Sequence, residues 1–178
     1  MNESSMTLAT DYSRAVNPVG WLVSEKMNGC RAFWDGSQFW TRGGNVIAAP
    51  DWFMDGLPAV PLDGEIWAGR ERFEEARLAV QHGHSTRCCQ FMAFDAPEAP
   101  GTWQGRIAEA GRLWRNVVTI EVCRSHRWLM KRLRDIQRGG GEGLVIRNPA
   151  IAHYETGYTP NMLKVKVVLQ VQYECIIQ

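Results

Sequence analysis

The sequence has almost no net charge: 20 Lys and Arg stand against 19 Asp and Glu, for a formal +1. That excludes a chain-wide basic nucleic-acid binder but leaves room for a local basic patch. It also lacks any Cys-x-x-Cys pair. Its five cysteines, Cys30, Cys88, Cys89, Cys123 and Cys175, are an odd number and indicate neither a disulfide framework nor a zinc ribbon. A reducing compartment, the cytoplasm, is expected. No apolar run approaches the roughly 18 residues of a membrane helix. The N-terminal MNESSMTLATDYSR shows no basic region followed by an apolar one, so no signal peptide is visible. Repeats and low-complexity segments are missing as well.

What is present is an ordinary globular composition, 45% hydrophobic and 22% charged, over 178 residues. That length suits one domain with a substantial core, or two very small ones. Eight tryptophans are many for this length; some are expected in the core and others on a binding surface. Gly20 to Lys26 reads as a strand. Cys30 to Thr41 reads as a hairpin, because Asp35-Gly36 separates two apolar-aromatic runs. A short helix is expected from Pro50 to Gly56 and a strand from Leu62 to Trp67. Arg72 to Gln81 has Phe73, Ala76 and Val80 on one helical face. Cys88 to Phe94 reads as a strand ending at Asp95, Trp103 to Trp114 as a helix and Val117 to Val122 as a strand. Ser125 can cap a helix whose Leu129, Leu133 and Ile136 face the core, and Gly139-Gly140-Gly141 ends it. Strand-like runs follow at Gly143 to Arg147 and, with a break, at Met162 to Ile177. Helices and strands intermix without a βαβ rhythm, so the fold class is α+β with antiparallel sheet.

Five short segments carry candidate chemistry, and each has an ordinary structural reading. Lys26-Met27-Asn28-Gly29-Cys30-Arg31 puts a lysine at the end of an apolar strand before a glycine that lets the backbone turn. Partial desolvation there favours a neutral, nucleophilic amine, although a surface lysine before a turn is the commoner case. In Leu62-Asp63-Gly64-Glu65, two carboxylates share a strand face and suit a metal or a ribose hydroxyl, or else a solvated edge. Phe94, before Asp95, can stack on a base or fill the core. Glu142 is flanked by glycines that allow close approach, or that simply form a loop. In Leu163-Lys164-Val165-Lys166-Val167, alternation puts both lysines on one face, where an anion such as phosphate would relieve their repulsion. Lysines guarding an edge strand look the same.

The order and spacing of the five resemble the motif series of the covalent nucleotidyltransferases: DNA ligases, RNA ligases and mRNA capping enzymes. That series runs K-x-D-G-x-R, D-G-E, an aromatic before Asp, E-G-hydrophobic, then K-x-K. The flanks WLVSEKMNGCRAFWDG (Trp21 to Gly36), TRGGNVIAAPDWF (Thr41 to Phe53) and LDGEIWAGR (Leu62 to Arg70) look closest to small ATP-dependent DNA ligases of bacteria and phages. The resemblance implies an ATP-grasp-like adenylation (nucleotidyltransferase) domain over residues 1–166, with antiparallel sheets flanked by helices. Residues 167–178 would be a stub where an OB-fold normally begins, that domain being absent or truncated.

The activity implied is ATP-dependent DNA ligation through a lysyl-AMP intermediate on Lys26, with AMP passed to the 5′-phosphate of a DNA nick. Such enzymes serve DNA repair, replication and recombination. By the same resemblance Arg31, Arg42, Glu65, Phe94, Lys164 and Lys166 would bind the nucleotide, Arg31 at the ribose or nick phosphate and Arg42 near the 3′ end. Glu65 would take the ribose hydroxyl, Phe94 the adenine, and the two lysines the phosphates. Glu142, with Glu65, would hold Mg2+ or Mn2+. The implied partners are nicked double-stranded DNA and an OB-fold domain supplied in trans; no membrane is implied. An RNA ligase of the same superfamily, or an impaired nucleotide- or DNA-binding remnant, are the alternatives.

Three features depart from the pattern. Asn28 stands where DNA ligases usually carry Asp, keeping the size but losing the charge. Tyr158, in Tyr154-Glu155-Thr156-Gly157-Tyr158-Thr159, takes a slot where small ligases often have Arg. Only 12 residues follow Lys166. Two further clusters are read as structural: His82, His84, Cys88 and Cys89 lack a tetrahedral metal-ligand spacing, with Cys89 expected to alternate to the face opposite Cys88. The run Arg124, Arg127, Lys131, Arg132, Arg134, Arg138 is a basic helix face, which a phosphate backbone could also follow.

Overall fold

Two five-stranded sheets organise the computed structural model, which describes residues 6–83 and 86–166. In chain order the strands are β1 (Thr7–Asp11), β2 (Leu22–Lys26), β3 (Cys30–Trp34), β4 (Phe39–Thr41), β5 (Val46–Ile47), β6 (Leu62–Trp67), β7 (Gln90–Asp95), β8 (Glu121–Val122), β9 (Gly143–Arg147) and β10 (Gly157–Val165). The helices are α1 (Asp51–Met54), α2 (Phe73–His82), α3 (Trp103–Leu113) and α4 (His126–Arg138). The first sheet runs β1-β10-β9-β2-β8 and the second β5-β4-β3-β6-β7. The α+β expectation with antiparallel pairing holds for these sheets, with one exception: β1 lies parallel to β10.

Local chemistry explains the elements that the sequence predicts well. The β3–β4 hairpin closes at Asp35, whose Oδ1 accepts hydrogen bonds from the Ser37 and Gln38 amides at 2.8 and 2.9 Å. Gly36 there takes φ +100°, a region open to glycine. Ser125 caps α4 by accepting from the Trp128 amide at 3.1 Å. Leu129, Leu133 and Ile136 are buried as their spacing predicts, and Gly139 ends the helix.

Elsewhere the structure corrects the reading. Strand β1 was not anticipated, because Thr7–Asp11 earns its place only by pairing with β10, far along the chain. The strand expected over Val117 to Val122 shortens to β8 plus a single bridge from Val117 to Ala93. The helix expected over Pro50 to Gly56 is one turn, with no side-chain cap. Strand β10 starts at Gly157 rather than at Met162 and ends at Val165. The rest of the run expected to Ile177, and the 167–178 stub, lie outside the described residues. On α2, Ala76 and Ala79 are the buried pair, while Phe73 is 39% exposed.

Two cores result. One gathers Phe39, Leu62, Ile66, Phe91, Trp103, Ile107 and Trp114 between the second sheet and α3. The other packs Val23, Leu144, Ile146, Leu163 and Val165 of the first sheet against Leu129, Leu133 and Ile136 of α4. Trp34, Trp103 and Trp114 are core residues, each indole donating to a backbone carbonyl.

Candidate functional site

The first sheet has an apolar face against α4, and strand alternation sends the intervening residues to the opposite face. Ser24, Lys26, Val145, Arg147, Lys164 and Lys166 therefore look away from α4, into a cleft of about 600 Å³. The second sheet and neighbouring loops supply its other walls, through Cys30, Arg31, Glu65, Phe94, Arg42 and Phe73. Lys26, Arg31, Arg42, Glu65, Phe94, Lys164 and Lys166 all line this one cleft. Among the described residues no tryptophan lines it, so the expected tryptophan binding surface does not coincide with this cleft.

Register brings the charged groups together. Lys26, the last residue of β2, pairs with Gly143, the first of β9. Glu142 therefore arrives beside the lysine, and Lys26 Nζ meets Glu142 Oε2 at 2.6 Å. The other carboxylate oxygen, Oε1, is held by Lys166 Nζ. Two ammonium groups share one carboxylate. Burial would raise the pKa of Glu142, but the hydrogen bonds from Lys166 and Lys26 outweigh it and hold the group below the usual glutamate range. Lys164, two residues back on the same face, reaches exposed Asp11 of β1 at 3.4 Å.

The glycines act here through close approach more than through turning. A Cβ on Gly143 would lie 2.5 Å from the Val165 carbonyl oxygen, and one on Gly29 would strike the Ile66 carbonyl. Neither takes a positive φ. The turn expected at Gly29 is thus a tight contact between the β2–β3 loop and β6. It delivers the Gly29 amide to Glu65 Oε1 at 2.7 Å. Burial raises the pKa of Glu65, opposed by the charge of Lys26, the Gly29 hydrogen bond and Arg31.

Asp63 and Glu65 share a strand but not a task. Asp63 is fully buried and receives Arg31 through Nε at 2.7 Å and Nη2 at 2.6 Å, with the Tyr154 hydroxyl donating at 2.6 Å. Arg31 Nη2 also donates to the Thr7 carbonyl at 3.1 Å. Burial opposes the charge of Arg31, but Asp63 more than compensates and raises its pKa. Tyr154 is pushed upward by burial and by the same carboxylate. Arg31 thus faces the cleft with its guanidinium already committed to Asp63 in a bidentate pair.

Phe94 lies under cations. The Arg31 guanidinium carbon is 4.6 Å from its ring centroid and that of Arg147 is 5.6 Å away. Arg147 in turn stacks 4.5 Å over Trp103 and donates to buried Asp95, which also takes Arg106. Sequence reasoning missed this Asp95–Arg106–Arg147 cluster. A signal existed, since a charge in each of the apolar runs FMAFD and GLVIR demands a partner. Cys30, also missed, lines the cleft, and burial followed by the charge of Glu65 pushes its thiol pKa up. Arg42 donates to the Tyr158 hydroxyl at 3.3 Å, so the tyrosine in the arginine slot meets a cation from the second sheet.

The DNA ligase of Haemophilus influenzae (strain Rd) is 31% identical over 174 residues, covering 93% of this chain and 64% of that protein. A solved structure of a Lig E DNA ligase superposes with a TM-score of 0.83 at 32% identity, covering 92% of this chain and 68% of the other. The chain belongs to the DNA ligase family. The chain spans about 64% of the length of its curated relative. The Chlorella virus DNA ligase-adenylate, at 21% identity, shares the fold with a TM-score of 0.75 over 92% of this chain and 67% of the other. No protein-family model matches the sequence.

Away from the cleft, the chain presents its basic helix on the opposite side of the first sheet. Arg127, Lys131, Arg134 and Arg138 recur at helical spacing beside a surface groove of about 490 Å³. Lys131 and Arg138 pair with Asp135, and Arg132 with Glu121. Cys88 and Cys89 were expected on opposite faces of a strand. They sit before β7, with their sulfurs 3.8 Å apart. His84 lies outside the described residues. Among the described residues no group of three or more His, Cys, Asp or Glu is placed to hold a metal, and no helix is long and apolar enough to cross a membrane.

Proposed function

We propose that residues 1–166 are the nucleotidyltransferase core of an ATP-dependent DNA ligase, working in the cytoplasm, in which Lys26 takes AMP from ATP. The observation that carries this reading is the pairing of Lys26 with Glu142 at 2.6 Å in a cleft whose wall also presents Lys164 and Lys166. An amine in the cleft can attack the α-phosphorus once the ammonium has lost a proton to solvent, forming an Nζ–P bond as the bond to pyrophosphate breaks. Lys166 and Lys164 are placed to neutralise the departing charge, which is most of what phosphoryl-type transfer requires of a protein. Glu65 offers a carboxylate to the ribose hydroxyl and Phe94 a ring to the adenine. Arg31, held by Asp63, and Arg42 offer cations at the ribose or nick phosphate and near the 3′ end.

The donor set fits a hard divalent cation only in company. Mg2+ takes one or two protein carboxylates and completes its shell with water and substrate phosphates. Glu142 and Glu65 supply that number, and the phosphates of ATP would supply the rest. Bound there, Mg2+ or Mn2+ would add positive charge opposite the leaving pyrophosphate.

AMP then passes to the 5′-phosphate of a nick and is displaced by the 3′-hydroxyl. Nicked duplex DNA is the proposed substrate; the related Lig E structure is described as DNA binding with a minimal scaffold. The chain spans 64% of its curated relative, and we assign complete nick sealing to this core acting together with an OB-fold domain. Incubation with α-labelled ATP and magnesium should yield acid-labile covalent label on the wild type and none on Lys26→Ala. Equal label on both, or none on the wild type, would sink the reading. Nicked DNA against RNA ends then decides between a DNA and an RNA ligase.

A further inference from the structure

Arg70 grips Glu25 in the cleft wall and ties together three segments that meet at the lysine. Its Nε and Nη2 hold both oxygens of Glu25 at 2.9 and 2.7 Å, and its Nη1 donates to the Gly139 carbonyl at 3.1 Å. Glu25 is the residue before Lys26. Gly139 opens the glycine run that ends one residue before Glu142. Arg70 itself follows β6, the strand that carries Glu65.

The glycine run is threaded under this clamp. A Cβ on Gly139 would strike Arg70 Nη1, one on Gly140 would come within 3.0 Å of the Glu71 side chain, and one on Gly141 within 2.9 Å of Glu25 Oε1. The turn that carries Arg70 is itself held in sparsely populated conformations. Gly69 has φ +109°, and Glu71, a residue with a side chain, has φ +60°. Such backbone persists only where surrounding contacts over-determine it.

We propose that Arg70 is a positioning residue for the Lys26–Glu142 pair. By fixing Glu25 and the Gly139 carbonyl with one guanidinium, it sets the end of β2 against the loop entering β9, and so where Glu142 stands relative to the amine. The proposal rests on the reading of Lys26 as the AMP acceptor. A guanidinium suits the position because the contact is a fork plus a third donor, which an ammonium reproduces only in part.

The test uses the full chain and α-labelled ATP with magnesium under single-turnover conditions, for wild type, Arg70→Ala, Arg70→Lys, Glu25→Gln and the Arg70→Ala/Glu25→Gln double variant. Displacing a reacting group by about 1 Å costs on the order of 100-fold in rate. Arg70→Ala should therefore lose about 10- to 100-fold in labelling rate, with half-saturation by ATP essentially unchanged. Arg70→Lys should recover part of the rate, and the double variant should be no slower than Arg70→Ala, because the two residues act as one unit. Hydrogen exchange of the 139–143 amides should rise in Arg70→Ala. Label on the wild type with equal label on Arg70→Ala overturns the clamp alone, as does unchanged exchange, additive loss in the double variant, or a rate loss matched by weaker ATP saturation. No label on the wild type overturns the Lys26 reading and this proposal with it.

Discussion

Asp95 offers a quantitative test of what holds the cleft wall in place. Its carboxylate is fully buried and serves two arginines: Arg106 through Nε at 2.7 Å and Nη2 at 3.2 Å, and Arg147 through Nη1 at 3.0 Å. Both guanidiniums are themselves nearly buried, with side chains 4% and 8% exposed. Asp95→Asn keeps the volume but removes the charge and turns one acceptor into a donor facing a donor. Arg106 retains the Gly101 carbonyl, whereas Arg147 Nε already has no partner. Removing one member of a buried ion pair costs about 3–5 kcal/mol, because the remaining charge stays desolvated. Domains of this size have about 5–15 kcal/mol in total. With a urea slope of about 2 kcal/mol/M, the unfolding midpoint should fall by about 2 M. Equilibrium urea unfolding, followed by tryptophan fluorescence and far-UV circular dichroism, measures it. A midpoint shift below about 0.5 M at unchanged slope would show that the cluster does not carry the load assigned to it.

Three further outcomes are expected. Glu142 has its pKa lowered in the folded state, so its contribution to stability is present above the ordinary glutamate range and lost as pH falls through the lowered value. The urea midpoint of the wild type should drop on acidification relative to Glu142→Gln, and curves that stay parallel would refute the pairing. Gly143→Ala should cost about 1–3 kcal/mol by thermal or urea unfolding, since its Cβ would lie 2.5 Å from a backbone oxygen that cannot turn aside; a neutral result would mean β9 and β10 are not so close. Arg127→Ala with Arg134→Ala should leave the salt slope of nicked-duplex binding unchanged, because α4 and the cleft occupy opposite faces of the first sheet. A slope reduced by about 0.9 for each arginine would place DNA on the helix after all.

Much of this protein was legible in the chain itself. The sequence pattern located β2, β6, α3 and α4, and local signals marked two boundaries: Ser125 for the α4 cap and Asp35-Gly36 for the β3–β4 hairpin. The motif order named the residues that line the cleft, since residue type and spacing survive without coordinates. Strand β1 was illegible because it exists only through a partner about 150 residues away. The division of labour between Asp63 and Glu65 was also hidden: two carboxylates on one strand look alike until the partner of each is known. Asp63 proved to be the buried counterion of Arg31, and Glu65 the acceptor of a backbone amide.

The sequence by itself determined the inventory: which lysines, carboxylates and glycines exist, and in what order. Tertiary structure alone decided the pairing. Register set Lys26 against Glu142, the two lysines lowered the pKa of Glu142 while burial raised that of Glu65, and one arginine after β6 joined the lysine strand to the glycine loop. The physical reason is range: side-chain type and local period act over a few residues, whereas ion pairing and desolvation depend on neighbours that only the folded chain brings within a few ångströms.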